Sequence, residues 1–135
     1  MGDSINDILM EDFQSVVGDL LMRNRSILDI ISKIQTSTGR INRSVVKAVT
    51  HCGCIAIDAK KQPFPGEANL QDLQQLLSTH LKGELCAECR SMVEEEIGGA
   101  LFYIAALCNT LGISMYDVIV KQKETLSTLG TYSLR

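Results

Sequence analysis

The chain is short of several residue types, and each shortage narrows its class. It has no tryptophan, two prolines in 135 residues and only 4% aromatic residues. Aromatic and proline-punctuated β architectures are disfavoured by that composition, whereas leucine and isoleucine carry the apolar content of a helical packing. There is no surplus of basic residues: the formal charge is −3. A phosphate backbone therefore finds little to neutralise it, and no duplex nucleic acid is expected as a partner. No apolar run approaches the roughly 20 residues a membrane span needs, so no membrane is expected either. The opening MGDSINDILMEDF is acidic and lacks the basic region of a signal peptide. A cytoplasmic location follows as an expectation, and there thiols stay reduced. No glycine-rich phosphate cradle, aromatic base-stacking cluster, internal repeat or low-complexity tract occurs.

What remains is a helical chain with about 45% hydrophobic and 21% charged residues. Its length suits one domain with a core. Residues 4–22 open on the cap types Asp3 and Ser4 and continue through Ile8, Leu9, Phe13, Val16, Val17, Leu20 and Leu21. Leu9, Phe13, Val16, Leu20, Ile27, Ile30 and Ile34 follow three- and four-residue steps, interrupted by Arg23. One long helix or two divided near Asn24–Ser26 fit equally, and the seam suits either a helical partner or the chain's own bundle. Gly39 fits the position just past a helix end. A helix is expected over 42–61, ended by Pro63, Pro65 and Gly66. A short helix capped by Asn69 is expected over 69–81. A long one is expected over 85–111, and a last one runs from the Ser114 cap to about Leu126. Residues 130–135 read as a loose tail.

Cysteine is clustered. Four of the five cysteines occur as Cys52/Cys54 and Cys86/Cys89. In a reducing compartment such pairs indicate metal or redox chemistry rather than disulfides. On an α-helix, residues three apart differ by about 60° around the axis and residues two apart by about 160°. If 42–61 is helical, His51 and Cys54 share a face, Cys52 points away, and Asp58 lies one turn beyond Cys54. Cys86 and Cys89 share a face of the long helix, with Glu96 two turns on. The expected metal set is thus His51, Cys54, Cys86 and Cys89, with Glu96 close by. Imidazole and thiolate are zinc ligands, and four of them close a tetrahedron. The competing readings are core cysteines in a reduced interior and a redox dithiol at Cys86/Cys89. Cys108 and Cys52 are expected as core residues. Of Glu94, Glu95 and Glu96, three consecutive positions spanning about 200°, Glu96 is expected to turn inward. Lys60, Lys61 and Arg90 are expected on the surface.

The stretch Glu95-Glu96-Ile97-Gly98-Gly99-Ala100-Leu101-Phe102-Tyr103-Ile104, with Leu111-Gly112-Ile113 and Ser114–Lys121 after it, resembles the second half of MazG-like proteins. Those are all-α nucleoside triphosphate pyrophosphohydrolases. The resemblance covers roughly 26–126 and is strongest over 95–121. It implies an all-α helical bundle of about five helices, with a 1–25 N-terminal extension, a 26–128 bundle and a 129–135 tail. It also implies a homodimer and, as a ligand, a nucleotide. The family's Mg²⁺ site takes acids from E-E-x-x-E and E-x-x-D. Here Thr50, His51 and Cys54 stand at the first motif, Gly99 replaces the aspartate of the second, and only Glu96 matches. Mg²⁺ is held by oxygen, so the change to imidazole and thiol favours a softer ion such as zinc. The first functional expectation is a divergent, non-catalytic or altered member with a transition-metal site in place of the Mg²⁺ cluster. The first alternative is an active Mg²⁺-dependent pyrophosphohydrolase using Glu96 and Asp58, with Glu94 or Glu95. The second is a helical interaction protein with core cysteines.

Overall fold

The computed structural model describes residues 2–21, 25–66 and 69–129. Five α-helices and one two-stranded sheet are found among them: α1 (Gly2–Leu20), α2 (Ile27–Lys47), β1 (Ile55–Ile57), α3 (Leu70–Leu76), β2 (Leu81–Gly83), α4 (Ala87–Leu111) and α5 (Met115–Leu129). The chain is mostly helical, as expected, and the small sheet is the departure. No single helix among the described residues is long and apolar enough to cross a membrane. The tail 130–135 lies outside the described residues, as do the Asp3 and Ser4 side chains.

Two compact units divide the chain: residues 1–41 with 95–135, and residues 42–94. The N-terminal 25 residues, expected as an extension, fall within the first unit.

That first unit is helical. Its core is Val17, Leu21, Ile30, Ala105 and Ala106, with Ile34, Phe102, Leu107 and Met115 packed against it. The chain forms two helices before residue 48 rather than one long one, and the expected continuous seam is not what is buried. Ile30 and Ile34 face inward. Leu9, Phe13, Val16 and Leu20 are exposed, and α1 buries Val17 and Leu21 instead. The division between α1 and α2 lets each helix choose its own inward face. Gln14 fixes α1 to the α4–α5 turn. Its amide nitrogen donates to Asn109 Oδ1 (2.9 Å) and to the Ile113 carbonyl (2.8 Å). Its amide oxygen accepts from Met115 N–H (2.8 Å), one of the amides a helix start leaves unpaired.

Gly39 does not end α2, contrary to expectation. The helix runs through it to Lys47. Ser32, Thr36 and Thr38 donate back to the carbonyls of Leu28, Ser32 and Ile34, which satisfies their hydroxyls inside the helix. A mid-helix glycine costs about 1 kcal/mol relative to alanine. Full burial of Ile30, worth about 1.5–3 kcal/mol, offsets it.

The second unit departs furthest from the expected helices. The helix expected over 42–61 ends at residue 52: α2 passes into a π-helical turn, Ala48–Cys52, and Gly53 turns out of it. Ile55–Ile57 then pairs antiparallel with Leu81–Gly83, in the register Ile55↔Gly83, Ala56↔Lys82 and Ile57↔Leu81. Ile55 and Ile57 are β-branched at alternate positions, which suits a pleated strand better than a helix. Between the strands, Asn69 caps α3 as expected. Its side chain accepts from Asp72 N–H and the Asp72 carboxylate accepts from Asn69 N–H. The helix expected to reach residue 81 stops at Leu76. Gln62 then ties the two arms of the excursion, donating to the Ser78 carbonyl (2.7 Å) and accepting from Ser78 N–H (3.1 Å). Among the described residues this unit buries only Ala48 and Ile55 as apolar side chains, together with Ser44.

Candidate metal centre

The residues leading into β1 and those following β2 carry the site. Cys52 is the last residue of the π-helical turn. Gly53 follows with φ 82° and ψ 10°, and its N–H donates to the Ala48 carbonyl. The left-handed conformation is open to glycine at little cost, and it reverses the chain between two cysteines. Cys54 therefore comes round toward Cys52 at the start of β1. Across the sheet, Gly83 has φ 83°, and a Cβ there would lie 2.5 Å from the Cys54 carbonyl oxygen. Only glycine lets β2 come this close to the Cys54 backbone.

Cys86 stands just before α4. Its carbonyl accepts from Arg90 N–H (2.9 Å), and its Sγ accepts from Cys89 N–H (3.4 Å). The thiol thus occupies the position of a helix N-cap, where unpaired amides favour negative charge. That backbone N–H, and then the Cys89 thiol, bring Cys86 down to about 7. Cys89 moves the opposite way: the neighbouring Cys86 sulfur, and then burial, push its thiol up.

The Sγ atoms of Cys52, Cys54, Cys86 and Cys89 all lie within 4.8 Å of one another. Cys52 and Cys86 are 3.9 Å apart. Four sulfurs around a zinc ion at Zn–S of about 2.3 Å stand about 3.8 Å from each other. The observed cluster is therefore sized for a tetrahedral ion, and four thiolates suit a soft one.

Three of the expected ligands, Cys54, Cys86 and Cys89, come together here. His51 is not among the grouped ligands, and Cys52 stands in the fourth place. The physical reason is the end of the helix. Angular spacing along a continuous helix pairs 51 with 54, but the turn at Gly53 breaks that spacing between them. Cys52, expected as a core residue, is exposed. His51 is exposed and lines a groove of about 450 Å³ with Lys47, Cys52, Glu88, Cys89 and Met92. The signal for Cys52 was in the sequence: Cys-Gly-Cys followed by Ile-Ala-Ile is a turn entering a strand.

Neither Glu96 nor Asp58 is among the grouped ligands. Glu96 is half-buried on α4 while Glu94 and Glu95 are exposed, so Glu96 is the inward one of the three. It belongs to the helical unit. Asp58 is an exposed loop residue paired with Lys60 at 3.6 Å. Cys108 is a buried residue of α4. No protein-family model, curated protein or solved structure matches the chain.

Proposed function

We propose that the chain is a zinc-binding helical protein in which Cys52, Cys54, Cys86 and Cys89 hold one structural ion. The mutual approach of the four sulfurs carries this reading. Four protein ligands leave no open position for a substrate or a reactive water, which is the mark of a structural site. The unit around the cluster is also poor in core. A segment of this size with two buried apolar residues needs another source of stability, and a bound ion supplies it.

The sequence resemblance to MazG-like proteins supports a further step: a divergent helical frame in which no group of three or more carboxylates gathers among the described residues. Glu96 is the one acid that matches the family's Mg²⁺ motifs, since Thr50, His51, Cys54 and Gly99 stand where the motifs have acids. Pyrophosphate release through metal-bridged phosphates needs several such oxygens. The non-catalytic reading is therefore preferred to an active pyrophosphohydrolase.

Elemental analysis of protein purified without chelator tests the site. One equivalent of zinc per chain is expected, and less than a tenth of an equivalent would refute it. One equivalent of iron, with visible absorption, would replace zinc by iron at the same ligands. Nucleotides incubated with Mg²⁺ or Mn²⁺ should give no pyrophosphate above buffer. Release that disappears in Glu96→Ala would overturn the non-catalytic reading.

A further inference from the structure

The cysteine cluster carries a second chemistry besides metal binding. Cys52 Sγ and Cys86 Sγ stand 3.9 Å apart, and the sulfurs of a disulfide stand about 2.05 Å apart. Each sulfur has to move by only about 1 Å, within reach of a χ1 rotation of a few tens of degrees. The pair is open to small reagents. Cys52 is exposed, and with His51, Glu88 and Cys89 it lines the groove of about 450 Å³ beside the cluster. The fifth cysteine, Cys108, is buried and is not one of the grouped sulfurs.

Ring length and approach select the pair. A bond within Cys52/Cys54 or within Cys86/Cys89 closes a ring of three or four residues. Cys52 and Cys86 are 34 positions apart, and a cross-link constrains the unfolded chain more as the ring it closes grows. Exchange among sulfurs that all lie within 4.8 Å of one another carries the bond to the pair of greatest stability. Cys54 is engaged elsewhere, its thiol donating to the Ala48 carbonyl at 3.9 Å. Cys86 Sγ is held in place by the Cys89 N–H at 3.4 Å, with Cys52 Sγ in front of it.

We infer that Cys52 and Cys86 of the metal-free chain join as a disulfide when a hydroperoxide is present, and that this bond and a zinc ion are alternative closures of the same β1–β2 excursion. The bond itself needs no metal; its rivalry with zinc rests on the zinc reading above. One thiolate attacks a peroxide oxygen, the O–O bond breaks, hydroxide leaves and a sulfenic acid remains. The other thiolate attacks that sulfur, the S–O bond breaks and a second hydroxide leaves. The two sulfurs lose two electrons in all, the peroxide gains them, and both hydroxides become water with protons from solvent. A tetrahedral zinc site of this kind takes four thiolates, so the bond leaves two and the ion is released. The excursion stays closed because the covalent link spans the same positions.

Full-length protein stripped of metal, reduced, and then given one equivalent of hydrogen peroxide tests the inference. Non-reducing peptide mapping should find Cys52 linked to Cys86 as the main product, in Cys54→Ser as in the wild type. Products mainly linking Cys86 to Cys89, or no linked peptide, would overturn it. Amides of Ile55–Ile57 and Leu81–Gly83 should exchange at least about tenfold more slowly in the oxidised metal-free protein than in the reduced one; equal rates would overturn the closure. Zinc affinity should fall at least about a hundredfold on oxidation and return with a thiol reductant; undiminished affinity would overturn the rivalry. A reduced protein that takes up no zinc would remove the zinc reading and the rivalry with it, while the mapping and the exchange decide the bond.

Discussion

The Sγ atoms of Cys52 and Cys86 lie 3.9 Å apart, though 34 positions separate them in sequence. One ends a π-helical turn and the other precedes a long helix. The short β1–β2 ladder lies between them in sequence, and their contact brings Cys52 into the cysteine cluster.

Cys52→Ser should therefore weaken zinc binding by more than the roughly 10–100-fold seen when an outer-shell partner is lost. His51→Ala should leave affinity within a few-fold of wild type. Competition with a chromophoric chelator measures both. An unaffected Cys52→Ser protein, or a large loss in His51→Ala, would restore the helical pairing of His51 with Cys54.

Removing the ion should act on one unit. The helical unit has its own core around Ile30 and Ala105, whereas the described residues of 42–94 bury little besides Ala48 and Ile55. After chelation, amides of Ile55–Ile57 and Leu81–Gly83 should exchange rapidly while those around Ala105 remain protected. Hydrogen-exchange mass spectrometry reads the difference.

Gly83→Ala should disrupt the site without touching a ligand. The new Cβ would meet the Cys54 carbonyl, and a positive φ costs a non-glycine residue about 1–2 kcal/mol before that clash is counted. Reduced zinc affinity with unchanged denaturation of the helical unit is the expected pattern.

In metal-free protein Cys86 should be the first of the four thiols alkylated at pH 7. Its thiol is lowered to about 7, chiefly by the Cys89 N–H, so roughly half is thiolate at that pH. A lowered value means the reactive anion is present above pH 7 and is lost as the pH falls through it. Cys89, pushed upward, should react last of that pair. Peptide mapping after brief iodoacetamide treatment across pH 6–8 gives the order.

Gln14→Ala should destabilise the helical unit by about 1–3 kcal/mol, since Met115 N–H and Asn109 lose their shared partner. Urea denaturation followed by circular dichroism measures it.

Much of the helical frame was legible because its signals are local. The Asn69 and Ser114 caps and the long 87–111 helix needed only neighbouring residues, and Glu96 followed from helical angle alone. The site was legible in residue type but not in membership. Cys54, Cys86 and Cys89 were found, but by extending the 42–61 helix past Gly53. A three-residue strand has too little pattern to compete with an apolar periodicity that runs up to it. Its partner, Leu81–Gly83, lies more than twenty residues away, and no local rule pairs them. The same limit hid the two faces of α1. The spacing of Leu9, Phe13, Val16 and Leu20 showed that a seam exists, and only the packing of Val17 and Leu21 shows that it points outward.

The two cysteine pairs stand at opposite ends of one excursion of the chain. A zinc ion joining them, as proposed, would act as a reversible cross-link between positions 34 apart in sequence. Closing a ring of that length removes unfolded-state entropy worth about 4 kcal/mol in the chain-entropy treatment of covalent links. Unlike a disulfide, such a link would have an occupancy that follows the supply of free metal. If the proposed ion is bound there, the persistence of the β1–β2 excursion would follow zinc availability, while the helical unit has a core of its own.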